Sequence, residues 1–137
     1  MKILYTAEAT ATGGRAGHAR TTDGKLDVEL EAPTEMGGSG EGTNPEQLFA
    51  AGYGACFQSA MAVIGRRMDV DVSDSTVTTK VGIGPNENRG FSLEVVLEVA
   101  IPGVDRALAE ELVAKAHEVC PYSNATRGNI PVELAVV

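Results

Sequence analysis

Basic charge is scarce in this chain. Eleven Lys+Arg stand against nineteen Asp+Glu, a formal net charge of −8. No basic footprint stands out, which argues against sequence-independent nucleic-acid binding. Histidine and cysteine are scarcer still, at two residues each. His117 and Cys120 share a helical i, i+3 spacing, but His18 is the only other histidine. No cluster therefore approaches a three- or four-ligand metal site. A Cys-His acyl-transfer centre lacks a recognisable base for the same reason. The glycine-rich stretch 37–42 is followed by no Lys-Ser/Thr pair, so it is not a phosphate loop. The apolar run 48–64 is interrupted and falls short of the roughly 20 residues that a membrane span needs. The N-terminus M-K-I-L-Y-T-A-E turns polar too early for a signal peptide. We expect a soluble, unprocessed, cytoplasmic protein of a single domain, residues 1–137, with no repeat or linker.

What is present is organised around the stretch from Thr43 to Met68. Asn44 suits a helix N-cap, Pro45 the first helical position, and Gln47 lies three residues after Asn44 as in a capping box. Glu46 falls in the first turn, where the helix dipole favours a carboxylate. From Leu48 to Ile64 only Gln58 and Ser59 are strongly polar, so the spacing predicts a helix buried on every side, with Cys56 at its middle. One sheet face cannot cover such a helix. A homodimer is expected on that ground alone.

Strands are expected before and after it. Residues 3–11 alternate, a second short strand is expected around His18–Thr22, and Asp23-Gly24 is a hairpin signal. Leu26, Val28 and Leu30 should face inward. Val77, Thr79, Val81 and Ile83 form one period-2 set, the odd positions from Phe91 to Ile101 a second, and Ile130 to Val136 a third. A second helix is expected from Asp105 to Val119, with Leu108, Leu112, Ala116 and Val119 on its buried stripe. Segregated strands and long helices make the class α+β.

Cys56 could be a nucleophile only as a thiolate, and burial among apolar groups disfavours that form unless a cation is near. Arg15, Arg66 and Arg67 are the candidate cations, and Glu46 is a carboxylate able to hold an arginine. Cys120 precedes Pro121, so it either ends one helix or begins another, with opposite dipole effects on its thiol. The alternative is that both cysteines are buried free thiols acting as small hydrophobes.

The segments T-G-G-R (12–15), L-D-V-E-L (26–30), G-T-N-P-E-Q-L-F-A-A-G-Y-G-A-C-F (42–57) and C-P-Y-S-N-A-T-R-G-N-I (120–130) resemble the organic hydroperoxide resistance (Ohr) family of the OsmC-like superfamily. They run in the family's order over nearly the whole chain. The resemblance implies a thiol peroxidase of alkyl and fatty-acid hydroperoxides, without metal or haem, recycled by a lipoyl-type dithiol. It implies that Cys56 is the peroxidatic and Cys120 the resolving cysteine, that Arg15 activates the thiolate, and that Glu46 pairs with Arg15. It also implies antiparallel strands packed around central helices in an intertwined homodimer. Ala16 departs from the family, which more often carries an acidic residue after this arginine. An OsmC-type peroxidase with broader peroxide use, and a redox-sensing module without turnover, are the competing readings.

Glu46 and Cys56 are ten residues apart. On one helix that is roughly 15 Å of rise, with the two side chains on different faces. Either the helix breaks at Gly52-Tyr53-Gly54, or one chain's Arg15 and Glu46 serve its partner's Cys56 and Cys120. The second arrangement is our expectation.

Overall fold

The computed structural model describes residues 1–137, which resolve into two units, Met1–Leu48 and Phe49–Val137. The first unit carries a small antiparallel sheet of β1 (Ala9–Thr12), β2 (His18–Thr21) and β3 (Asp27–Glu29). Ala9 pairs with Thr21, and His18 with both Thr12 and Glu29. A 3-10 turn at Gly14–Ala16 joins β1 to β2. The expected strand over 3–11 is mostly absent. Residues 1–8 form no regular structure, and Ile3, Leu4 and Tyr5 are exposed, because no neighbouring strand lies beside them within the chain. Leu30 is buried as expected, whereas Leu26 lies at the mouth of the β2–β3 turn and is exposed.

Helix α1 (Pro45–Met68) begins at the end of this unit and runs on into the second. Its start follows the sequence signals. Asn44 Oδ1 accepts the Gln47 backbone N–H at 2.8 Å, the N-cap to N3 bond. The return arm differs from a capping box: Gln47 Oε1 accepts from the Thr43 hydroxyl, at 2.7 Å.

Of the two alternatives weighed for α1, the break at Gly52-Tyr53-Gly54 is absent: the helix is continuous over all 24 residues. The glycines instead admit close neighbours. A Cβ at Gly52 would come within 3.0 Å of the Tyr122 hydroxyl, and one at Gly54 within 3.0 Å of Thr79 Oγ1. Within the single chain α1 is covered along one face. Tyr53, Phe57, Ala60, Met61 and Ile64 are in the core, but Ala51, Ala55, Gln58 and Ser59 are exposed. By length and composition alone α1 also reaches a bilayer's thickness, contrary to the reading of its apolar run, because the helix extends past that run at both ends. Its buried face marks it as a core helix.

In the second unit, β4 (Thr76–Pro85) and β5 (Phe91–Ala100) form a long antiparallel hairpin, and β6 (Val132–Val136) joins β5 in parallel. Between β5 and β6 come α2 (Arg106–Val119) and α3 (Pro121–Thr126). Val95, Leu97 and Val99 of β5 pack with the buried residues of α1 and with Ala109, Leu112, Val113 and Ala116 of α2. The buried stripe of α2 is therefore turned relative to expectation: Leu112 and Ala116 lie on it, but Leu108 and Val119 are more than a third exposed. The small Ala109 lets α2 approach the core more closely than a leucine would.

Candidate active site

In the first unit Arg15 sits in the 3-10 turn, between Gly14 and Ala16. Gly13 (φ 73°) and Gly14 (φ 57°) take left-handed backbone, which glycine adopts without steric cost. Gly17 is required by contact: a Cβ there would lie 1.8 Å from the Thr12 carbonyl oxygen. The turn presents the guanidinium to Glu46. Arg15 Nη1 donates to Oε2 at 2.7 Å and Nη2 to Oε1 at 2.6 Å, a two-point ion pair. Ala16 does not disturb it. The Glu46 side chain is 14% exposed and that of Arg15 33%. The hydrogen bonds from Arg15 hold the Glu46 carboxyl below its ordinary range, and those same bonds raise the guanidinium. The pair is thus complete above the usual carboxylate pKa. It is lost only as pH falls through the lowered pKa of Glu46.

In the second unit the two cysteines meet. Cys56 Sγ lies 3.6 Å from Cys120 Sγ, although 64 positions separate them in sequence. Both are free thiols, Cys120 buried and Cys56 partly so. The ambiguity over Cys120 resolves both ways: it ends α2 and begins α3. Its N–H donates to the Ala116 carbonyl, and its carbonyl accepts from Asn124 N–H, each at 2.9 Å. Burial pushes the Cys56 thiol up, the backbone N–H of Tyr122 pulls it down, and the bond with Cys120 raises it again. The groups of this unit that act on Cys56 include no cation. Cys56 opens onto a cavity of about 350 Å³ lined also by Ser59, Ala60, Val63, Val119 and Pro121. Apart from Cys56 and Ser59 the walls are aliphatic, which suits an apolar chain.

A polar network adjoins the thiols. Tyr53 OH lies 2.8 Å from Ser123 Oγ and 3.1 Å from Thr126 Oγ1, and His117 Nδ1 is 2.8 Å from Ser123 Oγ. Tyr53, Ser123 and Thr126 are buried. Sequence reading missed Tyr53, Ser123 and Thr126. The available signal was spacing: Tyr53 precedes Cys56 by three residues, His117 precedes Cys120 by three, and Ser123 follows it by three. His117 is committed to this network, and His18 contacts Asp27 on the exposed first sheet. Arg66 and Arg67 are exposed at the end of α1.

An α+β fold with a facing thiol pair beside an aliphatic cavity defines the class. A family model described as OsmC-like protein matches residues 38–135. The organic hydroperoxide resistance protein of Xanthomonas axonopodis pv. citri is 53% identical, over 98% of this chain and 96% of the relative. A crystal structure of an organic hydroperoxide resistance protein from Elizabethkingia anophelis superposes with a TM-score of 0.94 at 54% identity, covering 99% of this chain and 98% of that one. That of OhrB from Bacillus subtilis gives 0.90 at 45% identity, covering 98% and 100%. The chain belongs to the organic hydroperoxide resistance family of OsmC-like proteins.

Proposed function

We propose that this protein serves resistance to organic hydroperoxides as a cysteine-based peroxidase of alkyl and fatty-acid hydroperoxides. The observation that carries the reading is the 3.6 Å approach of Cys56 and Cys120 beside an aliphatic cavity, in a chain whose relatives are named for organic hydroperoxide resistance. The Cys56 thiolate attacks one peroxide oxygen, the O–O bond breaks, and the alkoxide takes a proton and leaves as alcohol. Cys56 is left as a sulfenic acid. Cys120 condenses with it to a disulfide and water. An external dithiol of lipoyl type, free dihydrolipoamide or a lipoylated protein, returns both thiols and ends as a disulfide itself. No bound cofactor takes part, and the setting is cytoplasmic.

An alkyl tail gains from burial in the cavity, whereas hydrogen peroxide has no apolar surface to bury. With a dithiol in excess, the protein therefore turns over an alkyl hydroperoxide many times, at a kcat/KM at least ~10-fold above that for hydrogen peroxide. A single turnover would favour the redox-sensing module, and equal rates the OsmC-type peroxidase of broad specificity.

The same reading includes a homodimer with shared sites. Three features support it: the exposed Ile3, Leu4 and Tyr5, the uncovered stripe of α1, and the absence of any cation among the second unit's groups that act on Cys56. The unbroken α1, which keeps Glu46 and Cys56 ten residues apart on one helix, supports the shared arrangement. In it, Cys56 and Cys120 of one chain work with Arg15 and Glu46 of its partner. Mixing inactive Cys56→Ser with inactive Arg15→Ala protein, and allowing exchange, restores activity to about half of the heterodimer's sites, because both defects fall in one site. No recovery after proven exchange assigns each site to a single chain.

A further inference from the structure

The hydrogen bonds around Ser123 have only one consistent direction. The Ser123 carbonyl can only accept, so the Thr126 hydroxyl, 3.2 Å away, spends its single proton there. Thr126 Oγ1 must then accept from Tyr53 OH. Tyr53 has no second proton, so it accepts from Ser123 Oγ. Ser123 has in turn spent its proton, so it accepts from His117, which must donate from Nδ1. Four donors thus point one way: His117 to Ser123 to Tyr53 to Thr126 to the Ser123 carbonyl.

This chain links all three helices one turn away from both thiols. Tyr53 is on α1 beside Cys56; His117 on α2 and Ser123 on α3 flank Cys120 on either side. Arg127 adds to it, donating to the His117 carbonyl and, at 2.7 Å, to Asn124 Oδ1. We propose that His117, Ser123, Tyr53 and Thr126 are positioning residues that hold the Cys120 thiol in line for resolving Cys56, and that they do so only while His117 is a donor. The inference rests on the peroxidase reading above. In the step concerned, the Cys120 sulfur's electron pair forms the S–S bond, the S–O bond of the Cys56 sulfenic acid breaks, and the hydroxyl leaves with the Cys120 proton as water. Such a displacement depends on alignment, and a misplacement of about 1 Å can cost 10²-fold. The peroxide step makes no demand on Cys120.

Two single-turnover rates separate the roles: sulfenic acid formation with one equivalent of an alkyl hydroperoxide, and its decay to the disulfide. Tyr53→Phe keeps the ring but removes one partner from each of two buried hydroxyls, those of Ser123 and Thr126. It slows disulfide formation about 10-fold or more and raises sulfinic acid on Cys56, with the first step changed less than about 3-fold. His117 tests the direction without disturbing the core. Asn places an amide donor where Nδ1 stands, whereas an ionised Asp can only accept. His117→Asn therefore resolves at close to the native rate, and His117→Asp about 10-fold more slowly. Unfolding midpoints are measured alongside, since a purely structural role would lower the midpoint yet leave resolution in the folded protein unchanged. Equal resolution by the Asn and Asp variants, or an equal loss in the peroxide step, overturns the inference. If Tyr53→Phe does not fold, the His117 pair decides alone. Native protein that forms no disulfide overturns the peroxidase reading and this inference together; native and variant proteins that form it equally fast overturn this inference only.

Discussion

Cys56→Ser loses hydroperoxide consumption by more than about 10⁴-fold, the scale expected when a nucleophile is removed from a concerted site. The serine hydroxyl fits where the partly buried thiol stood and can still take the Tyr122 N–H, so the fold persists. What disappears is an atom able to become a sulfenic acid, since a hydroxyl oxygen cannot accept oxygen from a peroxide. Circular dichroism checks the fold, and loss of an alkyl hydroperoxide with excess dithiol checks the activity. Cys120→Ser behaves differently. It reacts once, then stalls, and mass spectrometry after one equivalent of peroxide finds an oxygen adduct on Cys56 in place of the internal disulfide. Near-native turnover by Cys56→Ser, or an unchanged disulfide yield from Cys120→Ser, would remove the respective role.

Arg15→Ala lowers the rate of the peroxide step by about 10²- to 10³-fold, the loss seen when a charge-stabilising group is taken from a reaction centre. Burial pushes the Cys56 thiol up, so without a cation its thiolate fraction at neutral pH stays below the few per cent of a free thiol. Each unit by which the arginine lowers that pKa corresponds to about 1.4 kcal/mol. Raising the pH should therefore recover part of the activity of Arg15→Ala, as more thiol ionises, whereas the native protein changes little over the same range. Arg15→Lys keeps the charge but not the two-point contact with Glu46, and falls between the two. Glu46 has a depressed pKa, so protonation of its carboxylate contributes nothing to acid inactivation until the pH drops below the ordinary carboxylate range. A pH profile of Arg15→Ala parallel to the native one would mean that the arginine does not act on the thiol.

Much of this was readable in the sequence where the cause is local. Asn44, Pro45 and Gln47 act within one turn, and α1 starts where they indicate. Strict alternation marks β4 and β5 as strands, and they pair antiparallel, from Thr76 against Ala100 to Pro85 against Phe91. The misreadings share a different cause. Alternation over 3–11 signals a strand, but a strand needs a neighbour, and residues 1–8 have none in the chain. Gly52 and Gly54 weaken a helix in isolation, yet here they make room for Tyr122 and Thr79, which no window around residue 53 contains. On α2 the leucine spacing points to a stripe through Leu108 and Val119, but the core takes Ala109 and Val113 beside Leu112 and Ala116. At the site, the Arg15–Glu46 pair was visible through resemblance. The Tyr53–Ser123 bond joins residues 70 positions apart, and only the spacing of each from a cysteine hints at it.

The parallel pairing of β5 with β6 also bears on how the molecule is made. Parallel neighbours cannot be joined by a tight turn, so the chain between Ala100 and Val132 has to be laid down before the last strand can dock. That intervening chain is α2 and α3, with Cys120 at their junction. Loop closure over such a separation is slow compared with zipping the β4–β5 hairpin. The hairpin therefore forms early, and Cys120 reaches Cys56 only in the late, non-local phase of folding. The native approach of the two thiols is therefore among the last contacts to form, after the β4–β5 hairpin.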